Sequence, residues 1–155
     1  TLGDGVTLGN WVTLGNWVRL GNWVTLGNRV RLGDGVTSME LNEQACRAYA
    51  QYGPVHKFTK WVRPDRTSPN FDGGTALSYE AGSRVVSPDA VRSDQQCDPG
   101  LHVLLYGHRP EWYGLCAADH DLIALTVEVR AEDILFAGVA TMVGKVRVRA
   151  LTVLE

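Results

Sequence analysis

The chain has 155 residues, with 15 Lys and Arg set against 17 Asp and Glu for a formal net charge of −2. That balance, with a pI of about 6.1, argues against a nucleic-acid binder, which carries a basic footprint. No apolar run reaches the roughly 18 residues of a membrane span, and three widely spaced cysteines fit reduced thiols better than a disulfide framework.

From Leu2 to Thr37 the sequence is six consecutive hexads of the form Leu-Gly-(Asn/Asp)-(Trp/Gly/Arg)-Val-(Thr/Arg), beginning at Leu2, Leu8, Leu14, Leu20, Leu26 and Leu32. Val stands two places before the next Leu, so in an extended segment both face one way and the Thr or Arg between them faces the other. Gly and Asn/Asp follow, the residues most tolerant of a left-handed corner. Each hexad therefore reads as a short strand and a corner.

Over residues 2–37 this pattern resembles the hexapeptide-repeat family of left-handed parallel β-helices. The resemblance implies a β-solenoid of two coils of 18 residues, with three hexads to a turn. In that geometry Thr7 stacks on Thr25, Asn10 under Asn28, Asn16 under Asp34 and Asp4 under Asn22, while Trp11 meets Arg29 in a cation–π contact. Trp11, Trp17 and Trp23 take the outward corner position, and exposed tryptophan points to an interface or a sugar-stacking platform. Carbohydrate is thus a candidate partner. So short a solenoid needs covering at its ends, and an open coil is an unpaired edge. The expectation is that further coils precede Thr1 or that chains self-associate through the open end. The solenoid carries neither a His nor a protruding loop, which argues against the acyltransferase site found on other hexapeptide-repeat proteins.

Beyond Thr37 the period changes. Thr37-x-x-Glu40 has capping-box spacing, Leu41, Ala45, Ala48, Tyr49 and Tyr52 recur at helical spacing, and Gly53-Pro54 supplies a stop. These signals predict a helix over 39–52 whose apolar stripe plugs the last coil. Strands are expected over 55–63, 101–106, 122–130 and 145–154, with a hairpin joining 75–80 to 84–87. In the last strand Val146, Val148, Ala150 and Thr152 alternate with Arg147 and Arg149, the signature of a half-exposed sheet. The expected organisation is a β-helix over 1–37, a capping helix and linker over 38–54, and a mainly-β α+β domain over 55–155.

Cys97-Asp98-Pro99-Gly100-Leu101-His102-Val103, with the Tyr79-Glu80-Ala81-Gly82 turn and the closing Lys145-Val146-Arg147-Val148-Arg149 segment, resembles a small phage and prophage domain of unassigned activity. It implies virion or phage-type partners and a cytoplasmic or virion-associated location. Cys97, His102, Cys116 and His120 make up the ligand set of a structural zinc centre, although their spacings are looser than the usual Cys pairs. An enzyme reading likens the strand order to ADP-ribosyltransferases, with His56 beside nicotinamide and Glu128 or Glu132 as the acid, but it lacks the expected Ser-Thr-Ser or paired-Tyr segments. Trp112 and Tyr113, beside Pro110 and Gly114, form an aromatic loop suited to an interface. The balance favours a non-enzymatic structural, assembly or binding module, a rigid solenoid presenting a globular domain, plausible in an oligomer or filament.

Overall fold

Residues 1–21, 24–26, 31–32, 37–68, 77–94, 98–110, 121–138 and 144–155 are described by the structure, a computed structural model. In chain order these hold six two-residue strands, β1 (Thr7–Leu8), β2 (Thr13–Leu14), β3 (Arg19–Leu20), β4 (Thr25–Leu26), β5 (Arg31–Leu32) and β6 (Thr37–Ser38). Helix α1 (Met39–Tyr52) follows, then β7 (Val55–Val62), β8 (Arg84–Val86), β9 (Leu101–Leu105) and β10 (Ile123–Arg130). A 3-10 turn, Ala131–Asp133, leads into β11 (Ile134–Ala137), β12 (Lys145–Val148) and β13 (Ala150–Val153).

The fold is built on one seven-stranded sheet in the order β11-β12-β9-β7-β10-β13-β8, and every pairing in it is antiparallel. Its spine is β7 against β10, registered along the whole of both strands from Val55↔Arg130 to Val62↔Ile123. Alternation on these strands sends Phe58 and Val62, with Leu125, Val127 and Val129, to one face. Leu101, Val103, Val146, Val148, Leu151 and Val153 join them in a single apolar core.

Helix α1 covers that face. Cys46 belongs to the core, and Ala45 and Tyr49 pack against it. Asn42, 1% exposed, fixes the docking by donating to the carbonyls of Leu135 at 3.1 Å and Ser93 at 3.2 Å. It also accepts the Ala137 N–H at 3.0 Å. The other end is held by His56, whose Nε2 lies 2.8 Å from the Tyr49 carbonyl and 3.0 Å from that of Gly53. Both partners are acceptors, so Nε2 carries a proton and donates to the last turn of the helix. Loss of that bond in His56→Ala should cost about 1 kcal/mol, read as a lower urea midpoint at unchanged slope.

The fold is therefore a sheet-based α+β structure, and the expected left-handed parallel β-helix is corrected. The hexads do not build a solenoid. They form three separate two-stranded parallel ladders, β1–β4, β2–β5 and β3–β6, in which Thr7 faces Thr25, Thr13 faces Arg31 and Arg19 faces Thr37. Among the described residues only the Thr-Leu, Arg-Leu or Thr-Ser dipeptide of a unit extends far enough to pair. Leu2, Val6, Leu8, Val12, Leu14 and Val18 stay half-buried, with Leu20 buried. Of the expected apolar stripe, Ala45 and Tyr49 pack against the core of the antiparallel sheet and Tyr52 is exposed, while the Leu41 side chain lies outside what the structure describes.

Two further corrections concern the sheet. The expected strand over 145–154 is broken at Arg149, whose N–H donates to the Asp133 carbonyl at 2.7 Å. The break shifts the alternation by one, so Leu151 and Val153 face the core in place of Ala150 and Thr152. Segment 84–86 pairs with β13, not with a hairpin partner, and Ser78 forms an isolated bridge to Thr67. Residues 75–76 lie outside the described residues.

Candidate functional site

In the first three hexads the corner is tightest one residue later than Gly-Asn or Gly-Asp suggests. Gly5, Trp11 and Trp17 hold the positive φ, at 72°, 65° and 61°. Left-handed backbone at a bulky residue costs about 1–2 kcal/mol. Both tryptophans are also exposed, Trp11 at 69% and Trp17 at 75%. Backbone strain and exposed aromatic surface thus coincide at equivalent positions of successive hexads.

The backbone between these corners presents an edge. Val6 and Val12 carbonyls accept from Thr25 at 2.9 Å and Arg31 at 2.8 Å. Amide direction alternates along a strand, so the peptide groups of Thr7 and Thr13 turn the opposite way. Among the described residues no strand pairs with them on that side. The hexad segment meets the rest of the molecule through Arg19, 3.2 Å from the buried carboxylate of Asp94.

Of the other sequence-predicted residues, those described do not gather. Trp23, Arg29, Trp112, Tyr113, Cys97, Cys116 and His120 lie outside the described residues. His102 lies on β9 opposite Arg147, between Leu101 and Val103, which face the core, so its own side chain faces the other way. Among the described residues no group of three or more His, Cys, Asp or Glu is placed to hold a metal. His56 and Glu128 do not form a shared catalytic site either. Val129, not Glu128, stands opposite His56, which puts the two side chains on opposite faces, and Glu132 is ion-paired with Arg130 at 3.6 Å.

A groove of about 820 Å³ between α1 and the end of β10 went unnoticed in the sequence. Glu43, Cys46, Arg47 and Ala50 line it from one face of α1, Arg92 from the segment before β9, Arg130 from the end of β10 and Glu132 from the turn that follows. Glu43 accepts from Arg47 at 3.2 Å and stands 3.9 Å from Arg92. Arg92 also donates to the Ile134 carbonyl at 3.2 Å. Burial pushes the Cys46 thiol up, further raised by Glu43 and opposed by Arg92 and Arg147. A thiol so held is protonated at neutral pH and no nucleophile.

The segment that carries Arg92 is anchored from beneath. Arg147, fully buried, donates to the carbonyls of Val91 at 2.6 Å and Ser93 at 3.3 Å, the residues on either side of Arg92. It reaches Ser93 Oγ at 2.7 Å and the Pro99 carbonyl at 2.9 Å as well. Sequence alternation marks Arg147 as solvent-facing. The structure instead uses its sheet face to fasten a loop.

Neither a phage-type origin nor a filament finds support in any relative. No family model matches the chain, and no curated protein or solved structure matches it.

Proposed function

We propose that this chain is a non-enzymatic assembly and binding module that joins a second copy of itself through the open edge of its hexad segment. The reading rests on Trp11 and Trp17, held exposed in left-handed backbone. Gly5 makes the same corner without strain, so the corner itself does not call for a large aromatic ring. Tryptophan is enriched among the residues that dominate interface energetics, and the exposed surface of these two suits association. The outward peptide groups of Thr7 and Thr13 offer main-chain hydrogen bonds to an incoming edge. No helix among the described residues is long and apolar enough to cross a membrane.

Sedimentation velocity across the micromolar range tests this. The sedimentation coefficient of the wild type should rise with concentration. Trp11→Gly/Trp17→Gly removes both rings while suiting the positive φ, so the segment keeps its shape. Association should weaken by about 2 kcal/mol or more. A wild-type chain that stays monomeric at every concentration, or a double glycine variant that associates equally well, overturns the proposal.

A further inference from the structure

The groove beside α1 has a composition that its role in packing does not explain. Three arginines line it from three separate elements, Arg47 from the helix, Arg92 from the anchored segment and Arg130 from the end of β10. Two carboxylates, Glu43 and Glu132, accompany them, which leaves one positive charge in excess. Each guanidinium has five N–H donors, and the ion pairs shown use few of them. The 3.9 Å separation of Arg92 from Glu43 is long for a charge-assisted hydrogen bond, so a ligand oxygen can take that place without breaking a strong contact. Between the charges the wall is apolar, from Ala50, Val55 and the buried Cys46.

We infer that this groove binds a small organic monocarboxylate, its head group between Arg92 and the flanking Arg47 and Arg130, and its apolar body against Ala50, Val55 and Cys46. A planar carboxylate matches the guanidinium fork in two parallel hydrogen bonds. A monoanion also balances the single excess charge, which a phosphate dianion would overshoot. The volume lies within the range of about 300–1,000 Å³ typical of small-molecule sites. Arg92 is presented rigidly, because Arg147 and Asn42 hold the carbonyls beside it, and preorganised donors lose little entropy on binding. The site lies away from the hexad edge and does not depend on self-association.

Calorimetric titration of the full chain with naphthalene-2-carboxylate tests the inference, with 2-naphthalenemethanol as the neutral counterpart and inorganic phosphate as the head group without a body. The carboxylate should bind saturably with a Kd of about 0.1–1 mM. The alcohol and phosphate should each bind at least ten-fold more weakly, roughly the loss of one charge-assisted contact. Amide shifts should map the carboxylate to 43–50, 92 and 130–132. Arg47→Met/Arg130→Met changes two exposed side chains and leaves Arg92 in place. It should weaken binding by about ten-fold or more, with an unchanged melting temperature. Absence of saturable binding, equal binding of the alcohol or of phosphate, shifts mapped elsewhere, or a folded double variant with wild-type affinity would each overturn it. Should the double variant unfold, the comparison of the three probes on the wild type decides alone.

Discussion

Arg147→Met should destabilise the protein by about 3–5 kcal/mol, the largest loss expected from any single side chain here. The guanidinium makes four hydrogen bonds, to the carbonyls of Val91, Ser93 and Pro99 and to Ser93 Oγ. Methionine fills much of the stem's volume but leaves those acceptors beneath the loop without their donors. An unsatisfied buried polar group costs about 1–3 kcal/mol, and several are created at once. Lysine should not rescue the variant, because a single ammonium cannot span acceptors that a planar fork reaches in different directions. Urea denaturation gives the loss directly. Limited proteolysis should show new cleavage within 88–100, since the loop loses its anchor before the sheet unfolds. Gly100→Ala should loosen the same loop from the other side. A Cβ there would stand 2.8 Å from Arg147 Cγ, at a φ of +152°. A loss below about 1 kcal/mol in Arg147→Met would mean that water or relaxed backbone replaces the guanidinium, and the loop is held by something else.

Arg147 also connects stability to the groove. It fixes the carbonyls on both sides of Arg92, while Asn42 of α1 reaches the same Ser93 carbonyl. Helix, loop and sheet therefore meet at the residue that faces the proposed carboxylate. Side chains that hold a binding residue in place act at one remove from the ligand, and their loss appears as weaker affinity in a protein that still folds.

How much of this was legible in the chain depends on the distance over which residues act. Helix α1 has local signals at both ends, the Thr37-x-x-Glu40 spacing and Gly53-Pro54, and it spans Met39–Tyr52. The long strands β7 and β10 announce themselves by alternation over eight residues each. The hexads mislead for a physical reason. Their perfect period describes where each unit turns, but sheet area depends on how many residues pair between turns, and that number is two. The groove is invisible for another reason. Glu43 and Arg47 have the spacing of an ordinary exposed helical pair, and Arg130 and Glu132 stand far from them in the chain. They become one site only when α1 docks on the sheet. Arg147 is misread because alternation reports which face a residue takes, and not whether something else covers that face.

Lys60→Met should stabilise the protein at neutral pH by about 1–3 kcal/mol. Lys60 lies between Phe58 and Val62 on β7, on the core face, and is only 4% exposed. Its ammonium donates to the His102 carbonyl at 3.1 Å and stands 5.0 Å from the centre of the Tyr79 ring. These contacts do not offset the cost of burial, which pushes the amine down from 10.5 to about 8. Below pH 8 both folded and unfolded chains carry the proton, and the folded state bears the full penalty of about 3 kcal/mol. Between about pH 8 and 10.5 the folded chain has released the proton while the unfolded chain still binds it, so wild-type stability should rise with pH across that window. Burial raises Tyr79 to about 12, which acts in the opposite sense. The unfolded phenol ionises from pH 10 upward, so its contribution falls there in both proteins. The difference between wild type and Lys60→Met isolates the lysine. It should be widest at pH 7 and shrink steadily toward pH 10 in paired urea titrations. Methionine, unbranched and of similar length, fills the channel between Phe58 and Val62 at the loss of one hydrogen bond, worth about 1 kcal/mol. A variant less stable than wild type at pH 7, or a difference that does not change with pH, would show that the ammonium is solvated in the folded protein and that the core face of β7 is not closed over it.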